Sequence, residues 1–356
     1  MKEINDIIKA YKQLDTKQHK VAMATVIHVE GSSYRRSGAR MLVQDNGIWT
    51  GGISGGCLEG DALKKAKHCM ISKDVKTVRY DTSNDDEKQI GVGLGCNGII
   101  DVLLSPVIHD DEHNPIKILA SCVNDRHINC LISVIHSETN GLEAGKMYKY
   151  GSQKVTFPDA LIVDIQSALS SGKSAVKEYE KLSVFIEILK PTINVVLFGY
   201  QYDIYPLLKI GNELGWNMSV ACKQTKMTKA MKSLTKQLYF DAANVEYDDH
   251  TAFILMAHDY KTDKDNLLMA LNTDVPYIGM LGPVKRKNKA LDELHTHGHS
   301  FSDEQLNRLY NPVGLDIGSV TPEEIALAIL AEIRAHFSEK NGAPLRQKAG
   351  TIHERV

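Results

Sequence analysis

The chain has 356 residues, 43% of them hydrophobic, with 44 acidic against 42 Lys and Arg side chains for a net charge of −2; it is long for one core and suits two domains. That balance excludes the clear basic excess of a nucleic-acid binder. No apolar run approaches the roughly 20 residues of a membrane helix and the N-terminus is not a signal peptide, so a cytoplasmic protein is expected.

In chain order, Ile4, Ile7, Ile8, Tyr11 and Leu14 predict a short amphipathic helix, and the apolar run 21–29 predicts a buried strand. The strand leads into residues 30–40, a loop of small residues carrying Arg35, Arg36 and Arg40. Arginine suits bidentate phosphate contacts, so an anion-holding loop is expected; a basic surface loop is the simpler alternative. Residues 41–43 and 48–49, around Asp45-Asn46-Gly47, predict a hairpin. It delivers the chain into GGISGGCLEG at 51–60.

Glycine at that density has no packing role and implies a tight turn or close approach of the backbone to a ligand. Leu58, Ala62, Ala66 and Cys69 then recur at helical spacing, which puts Cys57 at or near a helix start. Free N–H groups and the positive end of the helix dipole there favour an anion and a thiolate. The expectation is an anion cradle with a thiolate at its rim; a turn ahead of a helix with a buried cysteine is the plainer alternative. After a strand at 75–80 and an acidic segment at 81–87, a second glycine–cysteine run (91–98) opens a strand at 99–104. Two such runs beside the arginine loop predict a joint site. Residues 106–190 alternate strand-like pieces (129–136, 175–179, 183–189) with polar turns and one helix at 159–169, and read as the remainder of the first domain's sheet.

From Pro191 the pattern becomes βαβ alternation, with strands at 193–198, 218–222, 252–256, 277–281 and 313–317, which predicts a parallel sheet covered by helices on both faces. The last helix is announced by Thr321, Pro322 and Glu324 as N-cap, first residue and capping box. A Rossmann fingerprint needs G-x-G-x-x-G after the first strand; Gly199-Tyr200-Gln201 keeps one glycine, Asp203 puts a negative charge at the helix start, and Cys222-Lys223 ends the second strand without an acid. Ordinary NAD binding is not expected. Second-domain ligand candidates are Gly199, His258 and Asp259 at strand ends, and Gly282, Lys285 and Arg286, where basic residues in a helix's first turn suggest an anion; caps and solvated faces are the alternatives. Six cysteines (57, 69, 96, 122, 130 and 222) lack C-x-x-C spacing, against a zinc site or a disulfide framework.

GSSYRRSGAR (31–40), GGISGGCLEG and GLGCNG (93–98), followed by HDYKTD (258–263), YIGMLGPVKRK (277–287) and NPVGLDIGSVTPEEIALAILAEI (311–333), resemble the XdhC/CoxI family over nearly the whole chain and in order. The resemblance implies an N-terminal α+β domain (1–190), a C-terminal Rossmann-like parallel α/β domain (191–338) and a loose tail (339–356). It implies a molybdenum-cofactor (molybdopterin) chaperone that protects the cofactor, assists its sulfuration with a cysteine desulfurase and inserts it into a xanthine dehydrogenase-type molybdenum hydroxylase client. It also implies a homodimer without turnover of its own. The cofactor carries a phosphate and a dithiolene-bound metal, so the expected binding set is Arg35, Arg36, Arg40, Gly51, Gly52, Ser54, Gly55, Gly56, Cys57, Glu59, Gly95, Cys96 and Gly98, with Cys57 or Cys96 contacting molybdenum. The family usually has proline at position 37, glycine at 97 and G-A-G at 199–201, where this chain has Ser37, Asn97 and Gly199-Tyr200-Gln201. The competing readings are an NAD(P)-dependent oxidoreductase using Cys57 or His258, and a family member turned to another anionic ligand or to redox sensing through Cys57.

Overall fold

The computed structural model describes residues 1–31, 33–81, 98–152 and 155–348. The chain divides into two compact units, Met1–Pro191, which also takes in Lys348, and Thr192–Gln347.

The N-terminal unit runs α1 (Lys2–Lys12), β1 (Val21–Gly31), β2 (Arg40–Gln44), β3 (Trp49–Gly51), α2 (Glu59–Ser72), β4 (Lys76–Asp81), β5 (Gly98–Val107), α3 (Pro115–Cys122), β6 (Asn129–Ser137), β7 (Met147–Lys149), α4 (Asp159–Ser171), β8 (Ala175–Tyr179) and β9 (Leu182–Leu189). Its strands form two antiparallel sheets, β3-β2-β1-β5-β4 and β7-β6-β9-β8. Residues 106–190 were expected to extend the first sheet; β6 to β9 instead build their own, because each strand alternates between two apolar faces and needs a layer on each side. Ala22, Ala24 and Val26 of β1, with Met41, Val43 and Val102, pack on α2 through Ala62, Ala66 and Cys69. The opposite residues of the first sheet, Met23, Ile27, Leu42 and Leu103, face inward, where Leu131, Phe185 and Leu189 of the second sheet meet them with α1 and α3 at one end. Ile132, Val134, Val184 and Ile186 point out onto Leu161 and Ile165 of α4. The result is a helix–sheet–sheet–helix stack.

The C-terminal unit runs β10 (Asn194–Phe198), α5 (Ile204–Glu213), β11 (Asn217–Ala221), α6 (Lys229–Leu234), β12 (Gln237–Tyr239), β13 (Thr251–Leu255), α7 (Tyr260–Leu271), β14 (Tyr277–Met280), α8 (Val284–Thr296), α9 (Asp303–Asn307), β15 (Leu309–Tyr310) and α10 (Pro322–His336). All neighbours in its six-stranded sheet, ordered β12-β11-β10-β13-β14-β15, are parallel. This is the doubly wound 3-2-1-4-5-6 order, so the chain is α/β with a Rossmann-like second half, as expected. Val195, Leu197, Val220 and Ile254 face α5 and α10, while Val196, Phe198, Phe253 and Leu255 face α7 and α8. The capping box of α10 is present, with Thr321 accepting from Glu324 N and Glu324 answering the Thr321 amide.

One expected strand is corrected: the sixth strand is Leu309–Tyr310, and residues 313–317 run irregularly. There Val313 N still reaches Met280 O of β14 (3.3 Å), but Gly314 N donates to Glu332 Oε2 (2.9 Å) and Leu315 N to Ala328 O (3.2 Å), so the segment turns to α10 rather than continuing a ladder. Among the described residues no helix is long and apolar enough to cross a membrane.

Candidate functional site

The glycine stretch begins where β3 ends. Gly51 has φ +84°, and a Cβ there would lie 2.3 Å from Arg40 O, while Gly52 N donates to that same oxygen (2.8 Å). Only glycine fits a left-handed residue against a neighbouring backbone. Gly51→Ala is therefore expected to cost at least about 2 kcal/mol, read as a lowered thermal midpoint with Gly60→Ala, which meets open space, as the comparison.

Beyond Gly52 the loop folds on Glu59. This side chain, 8% exposed in the first turn of α2, accepts from Ile53 N (3.1 Å), Ser54 N (2.8 Å) and Ser54 Oγ (2.5 Å). Ser54 Oγ in turn accepts from Gly56 N (3.2 Å) and Leu58 N (3.1 Å). Burial works against the Glu59 charge, but the bonds from Ser54 and Ile53 outweigh it and hold the carboxyl below the usual range. The open anion cradle expected here is thus corrected: the protein's own carboxylate sits at the head of α2, and Gly52, Ser54 and Glu59 spend their polar groups shaping the loop. What the loop presents is Cys57, an exposed free thiol one residue before the N-cap Leu58. Cys69, Cys122 and Cys130 are buried, and burial pushes their thiols up, Cys130 to about 12.

The arginine loop meets this one at Gly55, where a Cβ would stand 3.5 Å from the ring of Tyr34, itself 78% exposed. Its three arginines part ways. Arg35 is paired with Glu3 of α1. Arg40 is 1% exposed between the two sheets; it donates through Nη1 to Gly38 O (2.7 Å) and Glu187 Oε1 (3.1 Å), and through Nη2 to Glu187 Oε2. Arg40 is therefore corrected from ligand to structural residue. Arg36 alone of the three has no carboxylate partner among the described residues: its Nε is buried without an acceptor, and burial lowers the pKa of its guanidinium. It lines a cavity of about 980 Å³ between the sheets, with His28, Thr77, Arg79, Asp101 and Lys173. Gly98 opens β5 opposite Gly31. Gly95, Cys96 and most of the second glycine run lie outside the described residues, as do most of the acidic segment and residues 349–356. Glu3, Glu187 and the cavity's second-sheet wall carried no signal in the sequence, because each meets the loop only through the fold.

In the C-terminal unit, the turn after β10 serves packing: a Cβ on Gly199 would lie 2.4 Å from Met256 O. At the start of α5, where a dinucleotide's pyrophosphate would approach, Asp203 accepts from His258 Nε2 (2.6 Å). His258 holds a left-handed φ of 58°. A carboxylate there and Gln201 in place of glycine do not fit a pyrophosphate. Gly199 and Asp259 border a cavity of about 520 Å³ with Lys223 and Lys226, and Asp259 caps α7 through Thr262 N (2.8 Å). Gly282, Lys285 and Arg286 are not among the residues lining that cavity. Gly282 O accepts from Asn311 Nδ2 (2.9 Å), Lys285 lies along a groove on α8, and Arg286 bonds the buried Asp263 (2.5 Å), which also accepts from Ala257 N. Arg286 is a tether between α8 and α7 rather than an anion site.

Comparison with known proteins follows this division. The XdhC Rossmann domain family matches residues 195–333, and the XdhC and CoxI family matches residues 14–81. The chain is 27% identical over 322 residues to a probable xanthine dehydrogenase subunit of Bacillus subtilis (strain 168), covering 89% of this chain and 93% of that protein. It is 22% identical over 325 residues to the molybdenum cofactor insertion chaperone PaoD of Escherichia coli (strain K12), covering 90% and 86%. The crystal structure of a xanthine dehydrogenase from Bacillus halodurans superposes with a TM-score of 0.74 at 27% identity, covering 97% of this chain and 99% of that one. Matched in both halves, in order and over almost its whole length, the chain belongs to the XdhC and CoxI family.

Proposed function

We propose that this protein is a molybdenum-cofactor chaperone: it receives the cofactor, shields it, assists its sulfuration with a cysteine desulfurase and inserts it into a xanthine dehydrogenase-type molybdenum hydroxylase. The observation that carries the reading is the presentation of Cys57. A soft sulfur donor suits molybdenum, and here it is exposed at the tip of a loop whose neighbouring amides are bound by Ser54 and Glu59. A single side-chain ligand on a surface loop holds cargo loosely enough to hand over, whereas an enclosed site with several ligands would retain it. Tyr34, lying against Gly55 of the same loop, offers an exposed ring for a flat heterocycle to stack on. Insertion of molybdenum cofactor is the function named for PaoD, which aligns over 90% of this chain. The cytoplasm and a homodimer are parts of the same reading. An NAD(P)-dependent oxidoreductase is disfavoured by the Asp203 carboxylate where a pyrophosphate would bind.

The test is anaerobic equilibrium binding of isolated molybdenum cofactor, and its transfer to an apo-hydroxylase, with wild type and Cys57→Ala. Cys57→Ala is expected to weaken binding at least about 10-fold and to reduce transfer while leaving the urea midpoint unchanged, because the side chain is exposed. Undiminished binding by Cys57→Ala would remove the thiol from the site. NAD(H) binding without cofactor binding would overturn the chaperone reading itself.

A further inference from the structure

The cavity between the two sheets of the N-terminal unit is lined by a guanidinium, that of Arg36, which the fold leaves without a carboxylate partner among the described residues. The protein pairs the other arginines near Arg36: the buried Arg40 with Glu187, the part-buried Arg35 with Glu3, and the exposed Arg79 with Asp101 through a two-pronged contact (2.8 and 2.9 Å). Arg36 has no such partner among the described residues, and its Nε is buried without an acceptor. Of the other charged groups lining the cavity, Asp101 is neutralised by Arg79 and Lys177 by Asp164 (2.8 Å). Lys173 adds to the positive side, and Glu178 is the carboxylate left to oppose it. Ser37, Thr77 and Ser183 are part of the same lining.

The remaining wall is apolar. Ile27 and Leu103 of the first sheet pack with Phe185 of the second, flanked by Ile135 and Val176, and Ile27, Ile135 and Val176 are exposed to the cavity. The lining of the space therefore offers a cationic group for an anion and apolar side chains for an organic body. Its volume of about 980 Å³ is ample for a drug-sized organic molecule. A free inorganic anion would leave most of it unfilled.

We propose that this cavity binds a phosphate monoester, with the phosphate on Arg36 and the organic body against Ile27, Ile135 and Val176. Arginine is the residue matched to a phosphate's geometry, and charge-assisted hydrogen bonds in a partly dry site are the strong ones. The monoester has two possible sources: the phosphate-bearing arm of the molybdenum cofactor, or a separate phosphorylated metabolite. The assignment rests on Arg36 and the cavity and does not require the cofactor reading.

The probes are inorganic phosphate and phenyl phosphate, titrated calorimetrically into the full chain. Phenyl phosphate is expected to bind more tightly than phosphate, because only it covers the apolar wall. Arg36→Met should weaken phenyl phosphate about 10- to 100-fold, and Arg36→Lys less. The ligand-free Arg36→Met protein should be at least as heat-stable as wild type, since it loses an uncompensated charge; a merely structural arginine would give a lower midpoint instead. Competition between isolated molybdenum cofactor and phenyl phosphate would identify the cofactor's own arm as the occupant. Binding of phenyl phosphate without competition would identify a separate metabolite. Absence of phenyl phosphate binding to wild type at millimolar concentration, or binding equal in Arg36→Met, would overturn the proposal.

Discussion

Replacing Arg40 by Met should destabilise the N-terminal unit by about 3–5 kcal/mol, the cost of stranding a buried charge. The stranded charge is Glu187, 6% exposed on the inner face of β9, which would keep its carboxylate and lose both guanidinium bonds. Gly38 O would lose its donor as well. The chain has two tryptophans, Trp49 in the N-terminal unit and Trp216 in the other, so a Trp216→Phe background lets fluorescence follow the first unit alone. Its urea midpoint should fall by about 2 M. The companion variant, Arg40→Met with Glu187→Leu, should recover most of that loss, because two apolar side chains of similar size can replace a buried pair. If the double variant were as unstable as the single one, the loss would come from packing and the account of Arg40 as a neutralised charge would fail. Function is touched as well: Arg40 O seats Gly52, so a shift of β2 moves the loop that carries Cys57.

That arginine shows where sequence reading stops. Period and spacing made the sheets legible: β8 spans the residues expected for it, and β10, β11, β13 and β14 lie within one residue of expectation at either end. Each is a run of apolar or β-branched residues bounded by turn chemistry, so the signal is local. β12 escaped because three residues including Gln237 carry no period, and 313–317 misled because an apolar run reads alike whether it pairs or packs on a helix. The concentration of arginines in one loop was visible, but their separate fates were not. Glu3 lies 37 residues before Arg40 and Glu187 lies 147 after it, and nothing at such a separation is written in local pattern. For the glycine stretch, local pattern gave the turn and the helix start, yet Glu59, expected among the cofactor-binding residues, is itself what occupies the anion position. A helix N-terminus attracts negative charge without saying whether a ligand or the protein supplies it.

Removing that carboxylate should have the second large effect. Glu59→Ala leaves the buried Ile53 amide without an acceptor and frees Ser54, at a cost of about 2–4 kcal/mol for the lost charge-assisted bonds. The damage should be local, so hydrogen exchange is the sharper measurement: protection at Ile53 and Ser54 is expected to fall at least about 30-fold. Ser54→Ala, which spares the bonds from Ile53 N and Ser54 N to Glu59, should expose Gly56 and Leu58 more than Ile53. Acid should act as the mutation does. The folded Glu59 pKa lies below its unfolded value of about 4.3, so its contribution is fully present above that value and is lost as pH falls through the folded one. Protection of Ile53 should therefore decline on the acid side in wild type, and Glu59→Gln, which has no proton to take up there, should lack that decline. Fast exchange of Ile53 and Ser54 in wild type at neutral pH would mean that the loop is not fixed by Glu59. The thiol of Cys57 would then be carried on a mobile segment, and its presentation would have to be created by the cargo on binding rather than built into the fold.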